Sequence, residues 1–93
     1  MGLYYTSLIY AMFKESLKDS NFKEFLNNFF SNYTRHYNFD NLDMYDIYEI
    51  CVTTVDNEKL LISLADNNVI KQRLFEFISI CEAIKLEMEL IKK

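Results

Sequence analysis

The chain is 93 residues long, with half its residues apolar and a formal charge of −4 from fourteen acids and ten bases. That length suits one domain, here residues 1–93, and the apolar share suffices for one core. An acidic balance does not suit direct nucleic-acid binding, which needs a basic surface to displace counterions from phosphate.

In chain order, Leu3 to Lys18 reads as a helix. Tyr5, Leu8, Ile9, Met12, Phe13 and Leu17 recur at steps of three and four. Gly2 is the only glycine in the chain, so no internal glycine-rich loop exists to cradle a phosphate or dinucleotide. Met1-Gly2-Leu3-Tyr4-Tyr5-Thr6 fits the loose acylation pattern at Gly2, without the polybasic second anchor that stable membrane binding needs. Met1 to Phe13 lacks a basic start and a small-residue cleavage pattern, so no signal peptide is expected. The longest near-apolar stretch, Leu8 to Phe13, is far shorter than a membrane span.

After Asp19-Ser20-Asn21, where Ser20 or Asn21 offers an N-cap, a second helix is expected from Asn21 to Tyr37. Phe22, Phe25, Phe29, Tyr33 and Tyr37 form an aromatic stripe along it, read foremost as core. Arg35 and His36 fall in its last turn, where positive charge suits the dipole, and Asn38 is its candidate C-terminal cap.

Residues 40 to 66 admit two readings. Ile50 to Val55 is rich in β-branched residues, and Leu60 to Leu64 would pair with it in a hairpin at about 48–65. The turn between them has no glycine, and a lone hairpin is marginal. The helical reading takes Asn41 to Thr54 as one helix and Asn57 to Asp66 as a short second one. The absence of proline and internal glycine favours close-packed helices.

From Asn67 or Asn68 a last helix runs nearly to the C-terminus. Ile70, Leu74, Phe77, Ile78, Cys81, Ile84, Met88 and Ile91 trace one face over about 35 Å at 1.5 Å per residue. Phe75, Ile80, Leu86 and Leu90 make a second apolar set, more than one neighbouring helix covers. The expected fold is therefore all-α, a compact bundle of four to five helices. The alternative is α+β, with the hairpin packed on three helices.

Charge is distributed unevenly. Met1 to Phe39 and Lys59 to Lys93 each carry +1, whereas Asp40 to Glu58 carries six acids and no base. Asp40, Asp43, Asp46 and Glu49 recur every third position, a slanted stripe on a helix, with Tyr45 and Tyr48 interleaved. A solvated face explains such a stripe without any function, and acids near a helix start also favour its dipole. As a site, it reads as a partner-binding face: carboxylates pairing with Lys or Arg of another protein, tyrosines anchoring. A hard-cation site would need a tight glycine-containing loop, which is lacking, so no metal or cofactor is expected.

Catalysis has little to draw on. One histidine, His36, and two separated cysteines, Cys51 and Cys81, assemble no nucleophile, base and orienting group. Cys51 with His36 is a conceivable pair, but Cys51 lies in a β-branched apolar run and is expected to be buried. Free thiols of this kind suit a reducing, cytoplasmic compartment.

The expected function is non-catalytic protein binding, by a small acidic inhibitor or adaptor that docks on a basic, even nucleic-acid-binding, surface of a larger protein. Phage-encoded and other mobile-element inhibitors, anti-CRISPR proteins among them, act in this way; the likeness is one of size, charge and class. The alternative is a self-associating helical module, such as an immunity protein or antitoxin, forming a homodimer through the aromatic stripe and the C-terminal helix.

Overall fold

The computed structural model describes the backbone of residues 2–92 and the side chains of residues 8–90. Five helices follow one another: α1 (Gly2–Ser16), α2 (Ser20–Tyr33), α3 (Met44–Asp56), α4 (Glu58–Leu64) and α5 (Asn68–Lys92). The all-α bundle is therefore the fold. The hairpin alternative is overturned, because Ile50 to Val55 lies within α3 and Leu60 to Leu64 within α4. β-branched residues carry only a weak preference, and burial of Ile50, Cys51 and Thr54 on one helix face overrides it.

α5 is the axis of the bundle. Its 25 residues nearly match the 39 Å long dimension of the molecule. Asn67 caps its start, its Oδ1 accepting the Ile70 N–H at 2.9 Å. Ile70, Leu74, Phe77, Ile78, Cys81 and Ile84 are buried along it as expected, Met88 partly so, and the Ile91 and Tyr5 side chains lie outside the described ones.

α1 and α3 run antiparallel to α5. Phe13 meets Phe77 at 5.3 Å between ring centroids, and Asp19 pairs with Arg73 at 2.9 Å nearer the start of α5. At the far end, the Tyr48 hydroxyl of α3 lies 3.5 Å from the Glu89 carboxylate of α5. Among the described side chains, Ile9 and Phe13 of α1 and Leu17 just beyond its end are buried, whereas Leu8 and Met12 point to solvent.

α2 starts one residue earlier than expected and stops four residues sooner. Asp19, not Ser20 or Asn21, caps it, accepting the Phe22 N–H at 2.9 Å. Its end is set by Tyr37. In a continuous helix, residues seven apart lie about 10.5 Å apart along the axis. Here the chain leaves the helix at Thr34, and Tyr37 folds back edge-on against Phe30, with centroids 5.6 Å apart. Tyr37 is buried, and Phe39 packs beside both rings. Asn38 thus caps no helix. Its side chain instead accepts the Asp40 N–H in the connecting turn.

Candidate functional site

The return of the chain at 35–43 sets the local chemistry, because it lays Arg35 across the first turns of α3. Arg35 Nη2 donates to Asp46 Oδ1 at 2.6 Å and to Glu49 Oε1 at 2.9 Å; Nε reaches the same Glu49 oxygen at 3.1 Å. The guanidinium sits 4.0 Å from the Tyr37 ring centroid, within cation–π range. The Tyr37 hydroxyl donates to Glu49 Oε1 at 2.8 Å. Four side chains from the loop and α3 thus share one hydrogen-bonded cluster.

Its electrostatics follow from these contacts. The Arg35 hydrogen bond holds Asp46 below its ordinary carboxylate value. Glu49 is lowered by the Tyr37 hydroxyl and then by Arg35. Burial pushes the Tyr37 phenol up, and its bond to Glu49 adds to this. Arg35 is raised by its two carboxylate partners.

Asp43 has a different task. It is the N-cap of α3, accepting the Asp46 N–H at 2.8 Å while Asp46 Oδ2 accepts the Asp43 N–H at 3.3 Å. This reciprocal capping box fixes the helix start. Asp40 lies ahead of the helix, paired with Lys23 of α2 at 2.9 Å.

The four regularly spaced acids therefore do not form an uncompensated stripe. Two cations sit on them, leaving a formal −2 over Asp40, Asp43, Asp46 and Glu49. Tyr45 and Tyr48 also part company. Tyr45 is 68% exposed, beside Met44 at 51%, whereas Tyr48 is half-buried and turned toward Glu89. What is gathered at the start of α3 is a solvent-facing Tyr45–Met44 pair with acids around it. Sequence reasoning missed Arg35 and Lys23 as partners of these acids, and it set Met44 on the apolar face of the helix with Ile47, Tyr48, Cys51 and Val55, whereas Met44 is exposed; nothing in the local sequence marks it as solvent-facing.

No protein family, curated protein or solved structure matches the chain.

The conceivable Cys51–His36 pairing is not made. Cys51 is buried in α3, and His36 is exposed, its Nδ1 3.1 Å from Ser31 Oγ. Cys81 is likewise buried, and burial holds its thiol well above its ordinary value. Among the described residues, no group of three or more His, Cys, Asp and Glu is placed to hold a metal ion. No helix within them is long and apolar enough to cross a membrane.

Proposed function

We propose that this protein is a non-catalytic protein-binding module, a small inhibitor or adaptor, whose contact face is the start of α3. The observation that carries the reading is the 68% exposure of Tyr45 on a helix start that is fixed twice, by the capping box and by Arg35. A large aromatic on a rigid backbone loses little entropy on binding, which is how anchoring residues gain affinity. Met44 extends the apolar contact. Asp40 and Asp43 supply a rim that selects a partner rich in Lys and Arg and steers its approach.

Because Arg35 and Lys23 offset half of the local charge, apolar anchoring contributes more here than charge attraction. The natural partner is a protein whose basic surface otherwise holds nucleic acid, as anti-CRISPR-like inhibitors carried by mobile elements engage theirs. Two buried free thiols fit a reducing, cytoplasmic setting, and burial disfavours ionisation of Cys81. The test is affinity capture from the native host with wild type and Tyr45→Ala. One basic protein retained by wild type and lost by the variant is expected. Equal retention by both refutes this face.

A second reading, self-association, is favoured by apolar side chains exposed away from α3: Tyr33, Leu60, Leu64, Phe75, Leu86 and Leu90.

A further inference from the structure

The chain has two cysteines, thirty positions apart, and the fold brings them together across the seam between α3 and α5. Cys51 and Cys81 are both 0% exposed, on helices that pack along each other. The Cys81 thiol lies against the side chains of Cys51 and Thr54, which stand three residues apart on the buried face of α3. All three side chains are small, which lets the two helices approach closely at this point. Packed helices have axes about 8–10 Å apart and a Cα radius of about 2.3 Å, so facing Cα atoms come to about 3.5–5.5 Å. A disulfide spans Cα atoms about 4.4–6.8 Å apart, and the two ranges overlap. Burial, then the contact with Cys51, pushes the Cys81 thiol up, so the pair rests as thiols while the seam is closed.

We infer that Cys51 and Cys81 are a latent disulfide pair, which a low-molecular-weight disulfide oxidises to a covalent bond between α3 and α5. The exchange runs in two steps. When the seam opens locally, one cysteine thiolate attacks the small disulfide and becomes a mixed disulfide, releasing one small thiol. As the seam closes, the other cysteine attacks the protein-side sulfur and displaces the second small thiol. Two protein S–H bonds and one small-molecule S–S bond break; one protein S–S bond and two small-molecule S–H bonds form. Both protons and both electrons pass to the small thiols. Two observations select this pairing over a bond between molecules. The chain has no third cysteine, and each thiol is buried against the other, away from the surface. The bond closes a loop that contains α4 and the turn into α5, so it restricts the unfolded chain more than the folded one.

The test equilibrates the full chain with 2-hydroxyethyl disulfide under native conditions and then removes the reagent. The monomer is expected to lose about 2 Da, the two hydrogens given up, with peptide mapping joining Cys51 to Cys81 and dithiothreitol reversing the change. Circular dichroism should show unchanged helicity and an unfolding midpoint about 10 °C or more above that of the reduced form. Cys51→Ala and Cys81→Ala, treated alike, should show neither the mass loss nor the rise. All the readouts are made on wild type, so a variant that fails to fold leaves the test intact. A bridged monomer with lost helicity or a lowered midpoint overturns the inference, because the fold must then distort to make the bond. So does a chain that stays reduced, stops at mixed disulfides or links only to a second copy.

Discussion

The Tyr37 hydroxyl donates to the same Glu49 oxygen that receives Nε of Arg35, at 2.8 and 3.1 Å. One carboxylate atom thereby ties a buried loop aromatic and a surface cation to α3. The loop between α2 and α3 is set by this junction as much as by its own turn residues, and removing any member exposes the others.

Arg35→Met is expected to leave the helices in place and lower the midpoint of thermal unfolding. Asp46 and Glu49, one helical turn apart, would then face each other as like charges. The effect is measured by circular dichroism at pH 7 in low and high salt. Salt should narrow the gap between variant and wild type, because it screens the exposed pairs and the new repulsion.

The same cluster sets part of the acid limb of stability. Folded-state values for Asp46 and Glu49 lie below their ordinary 3.8 and 4.5. Their contribution is therefore fully present above those ordinary values and is lost as pH falls toward the folded ones. Stability of the wild type should drop through this window in urea titrations, and the drop should be shallower in Arg35→Met, where the carboxylates no longer have their cation.

Asp43→Ala should destabilise the fold by about 1 kcal/mol through loss of the α3 cap, which is about 4–8 °C in a domain of this size. Asp43→Asn keeps an accepting side chain and should recover most of that loss while removing the charge. The pair separates the structural task of Asp43 from any contact with a partner. Charge reversal at Asp43 or Asp46 would disturb the helix start and the Arg35 contact together, so it is a poor probe of binding.

Much of the architecture was legible in the sequence, for physical reasons particular to each element. α5 was read from an apolar period that its burial follows, because a central helix needs a continuous face. Residues 41–66 could be read as two helices, since the lack of glycine and proline left a hairpin without a turn. The end of α2 was not legible. Tyr33 and Tyr37 continue the same period, and only the packing of Tyr37 on Phe30 shows that the chain has already turned. Nor was the compensation of the acids: Arg35 stands 11 and 14 positions before its partners, and a helix extending to Tyr37 would have carried it away from them. The acid spacing was visible, but the cations opposite it depended on a tertiary turn.

Phe77 is the ring on which α1 and α2 converge, 5.3 Å from Phe13 and 5.4 Å from Phe22. Phe77→Ala should cost about 3–5 kcal/mol, a large share of the about 5–15 kcal/mol that holds a typical domain. Chemical denaturation should show a much lower midpoint, with Phe77→Leu between the two.

The contact face at the start of α3 is tested most directly by the affinity of the captured basic partner for wild type, Tyr45→Ala and Asp40→Asn, measured at two salt concentrations on variants shown to fold. Tyr45→Ala should weaken binding by about tenfold or more, the loss expected for an aromatic anchor. Asp40→Asn should weaken it less and flatten its salt dependence. Undiminished affinity in both variants at low salt would contradict the account.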